Sequence, residues 1–381
     1  MIDWQASALR LADALETRGH VTDSRWRSAF ESVPRHVFVP RFYDNQELVG
    51  STDPAQHDHW LSAVYSDVAL VTQVARVPDI DLNWFTSSSS MPSLMADMLE
   101  LLSVADGHRV LEIGTGTGYN AALLSHRLGA AKVTSIDLDP NLVADARERL
   151  ASIGYYPHLV VGDGAQGVGE RAPYNSIIAT CAVPAIPTAW ISQVVTGGAI
   201  LADVRGEVSG ALILLRKTSP DTVTGRVQAR PGSFMWLRAQ VDNPLRDGGH
   251  YTTVFSLDDA ESRTTDIDPR LVDDRDFRFV LQRYVPRLQS ITWTRQDETA
   301  VLEIRAQDTS WAEVAVAETR SGRHLVTQGG PDRMWDDVER AAAAWTSLGR
   351  PARQRFGLTA TVDGTHRYWL DTPEGQVLDT P

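Results

Sequence analysis

The sequence predicts an α/β protein: a doubly wound sheet of parallel strands with helices on both faces, followed by an α+β extension. Three observations carry this expectation. Strand-like and helix-like segments alternate from about residue 109 to residue 217. A glycine-rich turn, Gly114-Thr115-Gly116-Thr117-Gly118, stands where a buried strand gives way to a helix. Beyond about residue 240 the alternation stops, and strand-like runs rich in Val, Thr, Phe and Tyr surround a single helix.

The spacing of apolar residues places each element. Leu9, Leu11, Ala12, Ala14 and Leu15 fall among polar residues at helical intervals, predicting an amphipathic helix over 4–19. A short helix over 24–32 stops before Pro34, and 44–90 reads as loop-rich, a length that inside a compact domain points to function. Residues 92–103 form a helix with Leu94, Met95, Met98, Leu99 and Leu102 on one side. Then come strands at 109–113, 132–136, 158–161, 176–180 and 199–204, with helices at 120–128, 141–152 and 187–195 between them and a strand at 212–217 pairing at an edge. In the extension, strand-like runs lie at 250–256, 278–284, 289–295 and 299–305, and a helix over 334–348 carries Trp335 and Trp345. A last pair, 358–362 and 366–370, is joined across Asp363-Gly364-Thr365. The expected divisions are 1–91, a helical and loop segment; 92–239, the regular α/β domain; and 240–381, the extension.

Composition narrows the function classes. A chain of 381 residues with 43% hydrophobic content can bury a sizeable core and fits two domains. The net charge of −13, with no long run of like charges, argues against a nucleic-acid partner, whose phosphates would call for a basic face. Cys181 is the single cysteine, so an intrachain disulfide is excluded and a reducing compartment fits. Met1-Ile2-Asp3-Trp4 does not open a signal peptide, and apolar runs fall short of the roughly 18 residues a membrane span needs, so the expected location is cytoplasmic and off the membrane.

The candidate binding site sits at three strand ends. Val110-Leu111-Glu112-Ile113 runs straight into the glycine turn and Tyr119. Glycine permits positive φ and a close approach of backbone to ligand. A dinucleotide site would need glycine at 119; the Gly-x-Gly-x-Gly spacing after an acidic strand end suits a cofactor without a pyrophosphate. Asp137, about 20 residues further on, can accept hydrogen bonds from both hydroxyls of a ribose. Gly162-Asp163-Gly164 ends the next strand, where a carboxylate can accept from an adenine amino group. Ligands of such sheets bind at the carboxyl ends of the strands. Together these elements predict S-adenosylmethionine held by Glu112, Gly114, Thr115, Gly116, Gly118, Tyr119, Asp137, Leu138, Asp163 and Gly164 on a Rossmann-like methyltransferase domain, without metal.

Residues 26–205 resemble the protein-L-isoaspartate O-methyltransferase family. Ser32-Val33-Pro34-Arg35-His36-Val37-Phe38-Val39-Pro40 is similar to its N-terminal signature, Val110–Tyr119 to its cofactor turn and Gly162-Asp163-Gly164 to its third motif. Ala172-Pro173-Tyr174 with Ile177-Ile178 and the stretch from Pro184 to Pro187 is similar to the segment that follows. The family's Thr-Ile-Ser-x-Pro element falls on Ser88-Ser89-Ser90-Met91-Pro92, with serines replacing Thr and Ile, and Asn175 stands where Asp is usual. Residues 240–381 have no counterpart in the short repair enzymes; the extension and the serine run resemble a longer branch that includes tailoring enzymes of ribosomally made peptides.

The resemblance implies methylation of an Asp or isoAsp carboxylate in a peptide or protein, giving an ester that can collapse to a succinimide. A carboxylate is already ionised at neutral pH, so orientation and exclusion of water matter more than a base. Ser90 is the leading candidate for holding that carboxylate, with Ser89 and Ser88 next. Peptide tailoring leads, housekeeping repair is the alternative within this chemistry, methylation of a small molecule or nucleic acid is a second enzymatic reading, and a non-catalytic cofactor-binding scaffold is the reading from another class. His57-Asp58-His59 is expected to be ordinary loop histidines, Cys181 a buried thiol, and Trp335 and Trp345 a buried helix face. Arg35-His36 serves either structure or substrate docking.

Overall fold

The computed structural model describes residues 3–45, 47–77, 82–239, 259–296 and 299–378. Its centre is a nine-stranded sheet. From one edge the strands are His366–Leu370, Phe356–Thr361, Thr222–Val227, Gly210–Ser219, Val194–Arg205, Tyr174–Val183, Val110–Ile113, Val133–Asp137 and His158–Val161. The last five pair in parallel and the first four continue antiparallel. The chain winds outward from Val110–Ile113 through two strands, then returns to lay Tyr174–Val183 on the other side. That reversal opens a crevice at the carboxyl end of Val110–Ile113, the expected place for a ligand.

Alternate side chains of the parallel strands enter two different cores, as the pleat requires. Val110, Ile178 and Leu201 face the helices Trp4–Thr17, Ser24–Ser32, Pro92–Leu102 and Tyr119–Leu128. Leu111, Ile113, Ile177 and Ile200 face Trp190 and a continuous apolar cluster that runs into the C-terminal part through Phe277, Phe279 and Trp335. Being covered on both faces explains why the central strand Val-Leu-Glu-Ile is buried throughout. The expected α/β fold with a C-terminal α+β region is borne out.

Several elements differ from expectation. Residues 44–90 hold much more regular structure than a loop: the strands Arg41–Asp44, Glu47–Gly50, Leu70–Val77 and Leu82–Ser89 form a four-stranded antiparallel sheet, with the helix His57–Val64 inserted. Serines, poor strand formers, and two register shifts in the hairpin hid this pattern. The strand expected over 278–284 belongs to the helix Arg275–Tyr284. Asp274 caps it by accepting from Asp276 N and Phe277 N, and burial of Phe277, Val280 and Leu281 overrides the strand preference of its aromatic and β-branched residues. Gly210–Ser219 is interior, because Thr222–Val227 and the two C-terminal strands add to it. The helix expected over 187–195 is confined to Thr188–Gln193, and the strand begins at Val194. The expected run 250–256 lies outside the described residues.

The C-terminal part contributes a five-stranded antiparallel sheet, with Arg275–Tyr284 and the helix Met334–Ser347 packed between it and the central sheet. Trp335 and Trp345 are buried there as expected. Gln282 accepts from Val208 N at 2.9 Å and Arg283 donates to Val204 O at 3.3 Å, so polar bonds as well as apolar packing join this part to the central sheet. Among the described residues, no helix is long and apolar enough to cross a membrane.

Candidate active site

The glycine turn is built by backbone rules. Gly114 has a φ of +95°, a region side chains disfavour, and a Cβ there would meet Thr180 Oγ1 at 2.8 Å. The Thr180 hydroxyl instead donates to Gly114 O at 2.8 Å, fixing the first corner. Gly114 N and Thr115 N both donate to Ile136 O, which ties the turn to the neighbouring strand end. Gly164 answers a different need, since a Cβ would lie 2.6 Å from Ile113 Cγ2 and 2.9 Å from Leu237 Cδ1.

Beneath the turn is a buried polar chain. Thr115 Oγ1 and Ser135 Oγ lie 2.6 Å apart, Ser135 donates to Glu112 Oε2 at 2.5 Å, and Asn120 Nδ2 donates to Glu112 Oε1 at 2.8 Å. Burial pushes the Glu112 carboxyl up to about 7, against the lowering effect of those two donors. Asn120 Oδ1 is buried with no hydrogen-bond partner among the described residues. Asp137 accepts from Gly116 N at 2.8 Å and from Asp139 N at 3.2 Å, and burial raises its carboxyl.

A cleft opens over these groups. It is lined by Glu112, Gly114, Thr115, Gly116, Tyr119, Asp137, Leu138 and Gly164, together with Ser88, Ser89 and Ser90. Gly118 and Asp163 are outside this lining. Gly118 packs against Ala146 and Phe38, and Asp163 accepts from Ala165 N at 2.9 Å as the cap of a short turn. Two acids and an orphaned carbonyl in one cleft suit a ligand that brings a cationic centre and hydroxyl or amino donors, as S-adenosylmethionine does. Asp137, Glu112 and Asn120 all line this cleft.

The serine run forms the opposite edge. It ends the strand Leu82–Ser89, so its side chains alternate. Ser87 and Ser89 are buried; Ser87 Oγ lies 3.3 Å from Thr72 Oγ1, and Ser89 Oγ accepts from Arg35 Nη2 at 3.4 Å. The hydroxyls of Ser88 and Ser90 make no hydrogen bond among the described residues, and both residues are half-buried at the cleft. Asp67 caps the following helix by accepting from Ser93 N at 2.8 Å, and Arg230 donates to Ser93 Oγ at 2.7 Å. The exit of the run is therefore held from two sides.

A third wall escaped the sequence reading. Residues 233–238 add a short parallel bridge beside Ala182: Ala182 N donates to Met235 O and Leu237 N donates to Ala182 O, both at 2.8 Å. Phe234, Trp236, Leu237 and Arg238 line the cleft there, and Arg238 reaches to 3.5 Å from Thr86 O. The signal was present as an apolar run after Pro231-Gly232, but its partner Ala182 is remote in sequence.

Other residues resolve plainly. Cys181 lies at the cleft floor, but burial pushes its thiol well up, so it stays protonated and unreactive. Asn175 Oδ1 accepts from Arg109 N at 2.9 Å at the far end of the strand, a structural role. His57 and His59 belong to the start of a helix; His59 pairs with Asp44 at 3.1 Å, and no metal-holding group of three His, Cys, Asp or Glu occurs among the described residues.

Comparisons with known proteins identify the family. The profile of the Protein-L-isoaspartate(D-aspartate) O-methyltransferase (PCMT) family matches residues 6–231. Protein-L-isoaspartate O-methyltransferase 2 of Archaeoglobus fulgidus is 31% identical over 220 residues, covering 57% of this chain and 87% of the relative. Protein-L-isoaspartate O-methyltransferase of Xanthobacter autotrophicus is 38% identical over 198 residues, covering 52% of this chain and 76% of the relative. A solved protein-L-isoaspartate O-methyltransferase structure superposes with a TM-score of 0.57 and 23% identity, over 96% of this chain and 100% of its own, which shows the shared fold. With the glycine turn, the acidic strand ends and the serine edge gathered in one cleft, the chain belongs to the protein-L-isoaspartate O-methyltransferase family of S-adenosylmethionine-dependent methyltransferases.

Proposed function

We propose that this enzyme methylates an Asp or isoAsp carboxylate in a polypeptide, with Ser90, assisted by Ser88, holding the acceptor. The carrying observation is that Ser88 and Ser90 line the same cleft as the glycine turn, with hydroxyls that make no hydrogen bond among the described residues. S-adenosylmethionine, when bound, supplies an electrophilic methyl group. A carboxylate oxygen forms the new bond to that carbon as the carbon–sulfur bond breaks, and no proton moves. Opposite charges are neutralised in that step, so a cleft that excludes water favours it. Ser88 and Ser90 orient the acceptor through hydroxyl dipoles without cancelling its charge. Ser89, engaged by Arg35 and buried, fits a supporting place better than direct contact. The ester then undergoes attack by the following backbone nitrogen to give a succinimide, releasing methanol.

We further propose that the natural acceptor is a ribosomally made peptide undergoing tailoring, in a cytoplasmic setting and without nucleic acid. The altered serine run supports this reading; the C-terminal part does not separate it from repair, because a solved protein-L-isoaspartate O-methyltransferase matches 96% of this chain. Repair of isoaspartyl proteins is the second reading, supported by the names of the relatives. A labelled-methyl transfer assay on matched Asp and isoAsp peptides tests both. Base-labile label on either peptide supports carboxyl methylation, a strong isoAsp preference favours repair, and label on neither removes the proposal.

A further inference from the structure

Arg35 has no exposed surface, and among the described residues its guanidinium donates to no carboxylate. Nη1 donates to Val64 O at 2.8 Å and Ser66 O at 3.0 Å. Nη2 donates to Val68 O at 3.1 Å, Ser90 O at 3.1 Å and Ser89 Oγ at 3.4 Å, while Nε has no partner among the described residues. Its charged face lies 5.7 Å from the centre of the Tyr119 ring, which itself lines the cleft. The nearby acid, Asp67, is committed to Ser93 N at 2.8 Å and lies 3.6 Å from Arg18. Burial lowers the Arg35 guanidinium to about 10, which leaves it cationic at neutral pH.

A buried cation with no hydrogen-bonded carboxylate among the described residues is costly, and neutral donors could satisfy the same carbonyls at less cost. Its position explains its presence. Arg35 holds the carbonyl of Ser90 from behind the wall, and the trans peptide then directs Met91 N–H away from Arg35. We propose that Arg35 is a positioning residue for carboxyl methylation: it locks the Ser88–Ser90 edge and gives that edge a positive potential that selects ionised acceptors. This rests on the reading that Ser90 holds the acceptor carboxylate. Two separable effects follow. The multiple bonds fix geometry, which shows in kcat. The charge attracts the carboxylate, which shows in KM and in the acidic limb of the pH profile. The groups packed around Arg35 that could contribute to that profile are Tyr65, Tyr119, Asp67 and His36; burial raises both tyrosines and lowers His36, so all three are neutral at neutral pH.

The test compares Arg35→Lys, which keeps the charge but has no planar fork, with Arg35→Gln, which removes the charge. Binding of S-adenosylhomocysteine by calorimetry reports that each variant is folded. With an isoaspartyl peptide, Arg35→Lys is expected to lose about tenfold in kcat at nearly constant KM. Arg35→Gln is expected to raise KM by about tenfold and move the acidic limb of kcat to higher pH, because the bound acceptor is then easier to protonate. Equal losses in both variants with no KM shift and no movement of the limb overturn the proposal.

Should both variants fail to fold, the wild-type enzyme decides. With S-adenosylhomocysteine bound, the isoaspartyl peptide is expected to bind at least about tenfold tighter than its carboxamide analogue, with little change between about 50 and about 300 mM salt, because a buried charge is poorly screened. Equal affinities overturn the proposal. Ser90→Ala is measured alongside. Undiminished transfer there removes the Ser90 reading itself, whereas lost transfer with wild-type KM and pH profile in both Arg35 variants removes only the role given to Arg35.

Discussion

The two sides of the cleft are built in opposite ways. The donor side comes from short contiguous motifs at neighbouring strand ends, closed by backbone bonds such as Gly114 N to Ile136 O. The proposed acceptor side is assembled from distant parts of the chain. Arg35, Asp67, Ser88–Ser90 and Arg230 converge on one edge, and 233–238 closes the third wall through Ala182. A binding site for a fixed cofactor is encoded locally, while the acceptor site is encoded in packing and can diverge while the donor side stays the same.

Substitutions separate the two sides. Ser90→Ala is expected to lower turnover by about 100-fold while S-adenosylhomocysteine affinity stays within a few-fold, since losing a donor to a charged group costs about 1.5–3 kcal/mol and more where orientation is also lost. Calorimetry and methyl transfer on the same preparation check this, and a matched loss of affinity would blur the comparison. Asp137→Asn is the converse. It is expected to weaken donor affinity by about tenfold or more, from loss of a charged acceptor, with turnover at saturating donor much less affected.

Glu112 gives a pH signature to the donor side. Its carboxyl is raised from 4.5 to about 7 in the fold, so the native state holds a proton that the unfolded chain has lost over that window. Stability is therefore expected to fall as pH rises between those values, and Glu112→Gln should flatten this dependence in thermal melts. A cationic donor favours the ionised form, so its affinity should rise with pH through about 7 in the wild type and lose that slope in Glu112→Gln. The smallest effect is expected at Asn175→Asp, where the acceptor for Arg109 N is retained far from the cleft; the melting free energy should change by less than about 0.5 kcal/mol.

The same contrast explains what the sequence could tell. The parallel strands and the glycine turn were legible because local pattern and burial agree there: Val110–Ile113 is apolar, buried on both faces and followed at once by glycines. The hairpin Leu70–Val77 with Leu82–Ser89 was not legible, because its serines disfavour strands and its register shifts break alternation. Residues 278–284 misled for the opposite reason, since a strand-like composition is overruled by the Asp274 cap and by packing of Phe277 and Leu281. In the site, Glu112, Gly114, Thr115, Gly116, Tyr119, Asp137, Leu138 and Gly164 could be read from spacing. The distinction between Ser88 and Ser90 on one side and Ser89 on the other required the pleat, and the wall at 233–238 required a tertiary contact with Ala182.

A crystal structure with S-adenosylhomocysteine and a short isoaspartyl peptide tests the account most directly. The ribose should meet Asp137, the sulfur should open towards the serine edge, and the peptide carboxylate should lie within hydrogen-bond reach of the Ser90 hydroxyl. A complex in which the sulfur faces away from that edge, or in which the carboxylate is held by other groups with Ser90 uninvolved, would contradict it.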